Sequence, residues 1–201
     1  MKIKALMIPD PITVTRDATI SEAIELMKTN SIRHLPVVSK NNRLEGFVTL
    51  GDLKQGLIPS MVADLSLSDL MIMDPITIHP NDDIETAAQL IYKHKIGGMP
   101  VVKDKVVTGI ITAIDILRAF IDMMGILTTT SRIDVVIGDR PKSLKKAVNI
   151  INDSGGDIIS VVMTAKEDSK RSYYFRLSSC KTAVIKDALE QQGFEVLEAM
   201  D

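Results

Sequence analysis

Met7-Ile8-Pro9-Asp10-Pro11-Ile12-Thr13-Val14 returns, with few changes, as Met71-Ile72-Met73-Asp74-Pro75-Ile76-Thr77-Ile78, 64 residues further on. Leu35-Pro36-Val37-Val38 returns as Met99-Pro100-Val101-Val102 at the same offset. Gly46-Phe47-Val48-Thr49-Leu50-Gly51-Asp52 returns as Gly109-Ile110-Ile111-Thr112-Ala113-Ile114-Asp115 at an offset of 63. Three blocks in register mark a duplication, and the period is longer than that of most solenoid units. The chain therefore opens with two copies of one small module, expected to pack together with related clefts. The repeated blocks are turns and strand ends, where ligand sites usually lie.

Each copy reads as strand, helix, strand, strand, helix. In copy one, Ile12-Thr13-Val14 is a short extended segment. Thr19 with Glu22 forms a capping box for a helix whose apolar stripe is Ile20, Ala23, Ile24 and Met27. Asp83 is the equivalent cap in copy two, ahead of Ile84, Ala87, Ala88 and Ile91. These helices end near Thr29-Asn30 and Lys93-His94. The β-branched runs Pro36-Val37-Val38 and Pro100-Val101-Val102 are short enough for strands. Turns follow at Lys40-Asn41-Asn42 and Lys103-Asp104-Lys105, then strands over 45–50 and 106–111. Asp52 and Asp115 sit where a second helix begins. Modules of roughly 60 residues bury little surface alone, so face-to-face pairing is expected.

Across 201 residues there are 24 basic and 26 acidic side chains, divided 13 to 14 over residues 1–120 and 11 to 12 over 121–201. Neither part is a polycation, so no nucleic-acid partner is expected. Cys180 is the single cysteine, which excludes an internal disulfide framework and a thiolate metal cluster. No apolar run approaches 18 residues, and Asp10 closely follows the short Ala5–Ile8 stretch. Neither a membrane span nor a secretory signal is expected, and the cytoplasm is the default. Eleven methionines stand beside only seven aromatic residues, a composition that suits core filling or an adaptable interface.

The duplicated blocks resemble a tandem of cystathionine-β-synthase-type (CBS) domains, a Bateman module, covering domains at 1–60 and 61–124. The resemblance implies an α+β fold with two domains paired through their sheets about a pseudo-twofold axis. It also implies clefts that take adenosine-containing ligands such as AMP, ADP, ATP or S-adenosylmethionine, and frequent dimers of the tandem. In that family the aspartate matching Asp52 and Asp115 binds the ribose. A carboxylate is an acceptor suited to the adjacent donors of a ribose diol, though the same aspartates also suit plain helix caps. Thr49 and Thr112, three residues earlier, are placed to offer hydroxyls to a ribose or phosphate oxygen.

Backbone around Thr13 and Thr77 is expected to meet the purine edge, with the apolar side chains before Pro36 and Pro100 (Leu35 and Met99) against its faces. Each proline lacks an N–H and so leaves a strand end open, or simply starts a strand. Resembling proteins place basic residues near the phosphates where Arg33 and His34 stand; copy two has Gly97-Gly98 there, and Gly98 allows close approach. Arg118, three beyond Asp115, is matched by Gln55. The clefts are thus expected to be unequal.

Residues 121–130, with Gly125 and Thr128-Thr129-Thr130, read as a linker or helix end. Beyond it, Ile133–Ile137 is a strand, and Ser143 caps a helix carrying Leu144, Ala147, Val148 and Ile151 up to Gly155-Gly156. Strands over 158–164 and 173–177 flank a polar turn at 166–171. A helix with Val184, Ala188 and Leu189 ends at Gly193, before a last strand over 194–197. This order is ferredoxin-like. Asp139-Arg140-Pro141-Lys142-Ser143-Leu144, with the later glycine pair, resembles the opening of ACT domains, giving an ACT-like domain at 131–201. Many amino-acid-binding members have glycine where Lys142 stands, so dimerisation or protein contact is favoured over an amino-acid site. The CBS–CBS–ACT order resembles the acetoin utilisation (AcuB) proteins, implying a regulatory link to acetoin or related carbon metabolism.

No catalytic constellation assembles: His34, His79 and His94 lack metal-ligand spacing, and Cys180 has no evident base. The expectation is a non-enzymatic, cytoplasmic sensor of an adenosine compound that acts as a homodimer, with a regulated protein partner. Its rivals are a structural adaptor with no bound nucleotide and an amino-acid sensor acting through the ACT-like domain. The methionines of Met71-Ile72-Met73 and Met123-Met124 are expected on helices at the dimer contact.

Overall fold

The computed structural model describes residues 1–56, 66–127, 130–138, 141–164 and 170–201. The side chain of Gln55, the pair Thr128-Thr129, the pair Asp139-Arg140 and, of the turn expected at 166–171, residues 166–169 lie outside the described residues. The chain divides into two compact units, Met1–Leu117 and Arg118–Asp201.

In the first unit, helix α1 (Ile20–Thr29) begins at the Thr19–Glu22 box: the Glu22 N–H donates to Thr19 Oγ1 and the Thr19 N–H to Glu22 Oε2. Its stripe of Ile20, Ala23, Ile24 and Met27 is buried, against Leu35, Val37 and Val48 of the strands β2 (His34–Val38) and β3 (Leu44–Thr49). After the short helices α2 (Leu50–Gly56) and α3 (Leu67–Leu70), copy two repeats the plan. It has α4 (Ile84–His94), the strands β4 (Gly98–Lys103) and β5 (Val106–Thr112), and α5 (Ala113–Met123). Residues Asp104 and Lys105 turn the second hairpin with φ of 53° and 68°, and Asn42 turns the first with 56°. The hairpin ends join: Leu44 N–H donates to the Lys105 carbonyl and Val107 N–H to the Asn42 carbonyl.

The lead-in segments do not stay with their own copies. Strand β1 (Ile8–Pro9), from the start of copy one, pairs with β5 of copy two, Ile8 opposite Ile110. Reciprocally, Ile72 bridges Phe47 of β3, with Phe47 N–H to Ile72 O at 3.0 Å and Ile72 N–H to Phe47 O at 2.9 Å. The glycines of the repeated block admit this exchange. A Cβ at Gly46 would lie 2.7 Å from Met71 Sδ, and one at Gly109 would lie 2.6 Å from Met7 Sδ. Each copy thus receives a methionine and a strand edge from the other.

Two sequence expectations need correcting here. Asp83 occupies the N-cap position of α4 but its side chain makes no cap bond; it pairs with Lys2 Nζ at 3.0 Å, because the chain start docks on this turn, with Ile84 N–H donating to the Met1 carbonyl. Met71-Ile72-Met73 is not helical. Met71 lies just past α3 and is buried in copy one's core, while Ile72 and Met73 are exposed in an extended lead-in.

The second unit runs β6 (Ser131–Gly138), α6 (Ser143–Asp153), β7 (Ile158–Met163), β8 (Lys170–Leu177), α7 (Thr182–Gln191) and β9 (Glu195–Met200). Its antiparallel sheet has the order β7-β8-β6-β9. Ile133, Val135, Ile137, Phe175 and Leu177 of the sheet pack on Ala147, Ile151, Ile185 and Leu189 of the two helices. Ser143 is not the cap of α6, as expected, but its first residue. The N-cap is Lys142, held at φ 70° with no side-chain cap bond. That left-handed backbone is the one glycine adopts most readily.

Candidate functional site

The doubled Thr-x-x-Asp segments form the same device twice. Thr49 donates to Asp52 Oδ2 through its N–H (3.0 Å) and its hydroxyl (2.7 Å), while the Asp52 N–H returns a bond to Thr49 Oγ1 at 3.3 Å. In copy two the corresponding distances between Thr112 and Asp115 are 2.9, 2.6 and 3.4 Å. These are capping boxes with aspartate in place of glutamate. Each threonine's single hydroxyl proton is spent on the carboxylate, so the hydroxyl has acceptor capacity only for anything else. Each aspartate uses Oδ2 for both bonds; among the described residues, Oδ1 makes none. Capping and ligand binding are therefore compatible, because the box orients the carboxylate and leaves one oxygen free.

The repeated prolines leave a second pair of acceptors open. Val14 N–H donates to the Pro36 carbonyl (3.1 Å), and Val38 N–H donates to the Val14 carbonyl (2.8 Å). In copy two, Ile78 N–H reaches Pro100 O at 3.2 Å and Val102 N–H reaches Ile78 O at 2.9 Å. Extending this parallel ladder two residues back would require an N–H from Pro36 for the Ile12 carbonyl, and from Pro100 for that of Ile76. Proline has none. The peptide groups of Ile12 and Ile76 consequently make no backbone bond among the described residues.

Two cavities collect these groups, and each is built from both copies. The first, about 920 Å³, takes Thr49, Gly51, Asp52 and Lys54 from copy one, and Asp74-Pro75-Ile76 and Lys95–Gly98 from copy two. The second, about 570 Å³, takes Thr112–Ile114 from copy two, and Asp10-Pro11-Ile12 and Ser31–His34 from copy one. Phe47, Ile72 and Ile96 supply apolar wall in the first cleft, and Ile8, Ile32 and Ile110 in the second. Arg33, His34 and Gly97 border both.

Of the residues singled out in the sequence, the first cleft brings together Arg33, His34, Thr49, Asp52 and Gly98, and the second Arg33, His34 and Thr112. Asp115 does not line the second cleft but accepts a hydrogen bond from Thr112, which does. Leu35 and Met99, expected against the purine faces, are fully buried in their own cores and line neither cleft. Pro36 and Pro100 are buried strand residues that act through the missing N–H. Neither Thr13 nor Thr77 lines a cleft, nor does Arg118, which is 82% exposed with its Nε 4.0 Å from Asp122 Oδ2. Sequence reasoning passed over Phe47, Lys54 and Lys95. Phe47 was visible inside a repeated block, whereas the two lysines carry no motif.

His34 stacks on Phe47, with ring centroids 5.9 Å apart, and its Nε2 would lie 2.9 Å from a Cβ at Gly97. Glycine at 97 makes room for the imidazole. Burial, reinforced by the neighbouring Arg33 and opposed by Asp52, holds His34 below the ordinary histidine range. The folded protein therefore binds this proton less readily than the unfolded chain. The stability that neutral His34 supports is complete above the unfolded pKa of about 6.5 and is lost as pH falls from there towards the lower folded value. We predict that urea midpoints of the native protein decline over this window more steeply than those of His34→Gln. Equal slopes would refute the assignment.

Comparison with known proteins places the fold. A CBS-domain family model matches residues 3–58 and 67–122, more than half of the chain. The chain belongs to the CBS-domain family. Among solved structures, the CBS domain pair of protein MJ0100, in complex with 5′-methylthioadenosine and S-adenosylmethionine, is 30% identical with a TM-score of 0.56, covering 60% of this chain and 95% of that one. A structure described as an acetoin utilization protein (AcuB) from Vibrio cholerae is 33% identical with a TM-score of 0.56, covering 63% and 94%. The CBS protein CBSX2 in complex with AMP is 27% identical with a TM-score of 0.53, covering 60% and 96%.

Curated relatives include a homoserine O-acetyltransferase of Methanocorpusculum labreanum, 40% identical over 105 residues, and an inosine-5′-monophosphate dehydrogenase of Thermoplasma acidophilum, 33% identical over 170. These matches cover 52% and 83% of this chain but only 21% and 33% of the relatives' lengths. Among the described residues of this CBS protein, no helix is long and apolar enough to cross a membrane.

Proposed function

We propose that this CBS protein is a non-catalytic, cytoplasmic regulatory sensor whose clefts take adenosine-containing ligands: AMP, ADP, ATP or S-adenosylmethionine. One observation carries the reading. In the first cleft, one cavity is lined by an oriented Asp52, whose Oδ1 makes no bond among the described residues, and by Ile76, whose carbonyl makes no backbone bond among them. These are acceptors for the two donor groups of adenosine, the ribose diol and the purine amine, and the cavity has the size of a small-molecule site. CBS pairs in complex with 5′-methylthioadenosine, S-adenosylmethionine and AMP support the ligand class. Calorimetry of the full chain with AMP, ATP and S-adenosylmethionine tests it: we expect at least one to bind, and dissociation constants all weaker than about 1 mM, roughly −4 kcal/mol, would dismiss the reading.

For the second unit, the element order and the β7-β8-β6-β9 sheet support a ferredoxin-like fold of ACT type. Its proposed role is dimerisation or contact with a regulated protein partner, in preference to holding an amino acid. Ile159, Val161 and Met163 of the edge strand β7 are exposed apolar side chains that suit pairing with a second copy. A solution mass of 22.1 kDa, that of a single chain, would exclude the homodimer. The proposed link to acetoin or related carbon metabolism rests on likeness to the Vibrio cholerae protein, which covers 63% of the chain.

A further inference from the structure

The duplication allows the two clefts to be compared position by position, and they differ in one direction. Lys95 borders the first cleft, and its counterpart at the second, at an offset of 64, is Ser31. Lys54 borders the first cleft, and its counterpart at an offset of 63 is Leu117. Gly51 borders the first, and its counterpart is Ile114, which is 70% exposed and borders the second. Three exchanges thus remove two cations and add apolar bulk at the second cleft. The first cleft has Arg33, Lys54 and Lys95 against Asp52 and Asp74; the second has Arg33 against Asp10, with Asp115 hydrogen-bonded to Thr112. No carboxylate among the described residues lies within ion-pair distance of Arg33, Lys54 or Lys95.

We infer that the clefts divide the ligand class between them. The first takes a phosphorylated adenine nucleotide. The second takes an adenosine derivative whose 5′ substituent is apolar and carries no phosphate. Asp52 is committed to the ribose, which leaves three cations facing Asp74 alone and favours a polyanion. In the second cleft, a phosphate would meet the Ile114 side chain where the first cleft has none, and would share the single Arg33 with Asp10. Because Arg33 and His34 border both cavities, a phosphate drawn to them from one side leaves no separate set for the other. One polyphosphate per chain is the expected limit.

This inference rests on the adenosine reading above, and titrations of the full chain separate the two. We expect ATP to bind with a stoichiometry of one per chain and with an affinity that falls as salt is raised, because exposed charges are screened. The double substitution Lys54→Gln/Lys95→Asn should weaken ATP about tenfold, the loss of roughly one charge-assisted bond. Asparagine suits position 95, where φ is 58°. Adenosine and 5′-methylthioadenosine should change less than about twofold in the same variant. Asp52→Ala should weaken ATP more than Asp115→Ala does, and the order should reverse for 5′-methylthioadenosine.

Two equivalent ATP sites, or equal losses of ATP and adenosine in the double variant, would overturn the division while leaving the sensor intact. Binding of no adenosine compound would overturn both. If the double variant is unfolded by circular dichroism, the salt dependence of the native protein decides: equal salt sensitivity for ATP and adenosine would overturn the division.

Discussion

Asp52→Ala should weaken an adenosine ligand in the first cleft by about 1.5–3 kcal/mol, roughly ten- to 150-fold in dissociation constant. The size follows from what is removed. Thr49 holds one carboxylate oxygen through two bonds at 2.7 and 3.0 Å, so the other is presented in one orientation before any ligand arrives. Little side-chain entropy is then lost on binding, and most of the interaction appears as affinity. Alanine also removes the return half of a capping box, so a stability loss of about 0.5–2 kcal/mol is expected on denaturation. Asp52→Asn separates the two effects, since it keeps the shape and an acceptor but not the charge. It should lie between native protein and alanine in affinity. Calorimetry of the three proteins checks this, and an unchanged affinity in Asp52→Ala would exclude the carboxylate as a ligand contact.

Gly46→Ala and Gly109→Ala should each destabilise the CBS pair by about 1–3 kcal/mol, the usual cost of overpacking a close contact. At Gly46 the new methyl would lie 2.7 Å from Met71 Sδ and 3.2 Å from the Ile72 carbonyl. At Gly109 it would lie 2.6 Å from Met7 Sδ and 3.0 Å from the Ile8 carbonyl. The methionine chains can swing aside, but the carbonyls are less free. That of Ile72 is held by the Phe47 N–H at 3.0 Å, and Ile8 is paired with Ile110. Relief by moving the lead-in would also move a cleft wall, Ile72 in the first and Ile8 in the second. Each substitution should therefore cost affinity in its own cleft as well as stability. Urea denaturation provides the first measurement and ligand titration the second. Stability unchanged in both variants would show that the lead-ins do not press on these glycines.

Much of the architecture is legible in the sequence because it is written in short-range patterns. The Thr19–Glu22 box, the helical stripe from Ile20 to Met27 and the turn at Lys40-Asn41-Asn42 each depend on residues within a few positions of one another. The same holds for the Thr49–Asp52 and Thr112–Asp115 segments, whose spacing of three puts both partners on one helical turn. Their repetition located both candidate sites. That each proline leaves a strand end open was legible too, since it lacks an N–H wherever it stands; that the groups left open are the carbonyls of Ile12 and Ile76 follows only from the strand pairing.

Which pieces of the two copies meet was settled only in three dimensions. The exchange of lead-ins, with Ile8 on β5 and Ile72 on β3, gives each cleft a box from one copy and a proline turn from the other. Nothing in the linear order distinguishes this from each lead-in staying at home. It is selected by edge pairing between segments far apart in the chain, and by glycines whose missing side chains fit methionines about 25 or 100 residues away. The same long-range geometry took Leu35 and Met99 into the cores, drew Asp83 off its helix to Lys2, and brought Lys54 and Lys95 to one cleft. Local spacing determined which groups the protein has to offer. Tertiary packing decided which of them face the same cavity, because hydrogen bonding between strand edges and burial of apolar surface act through space and take no account of sequence distance.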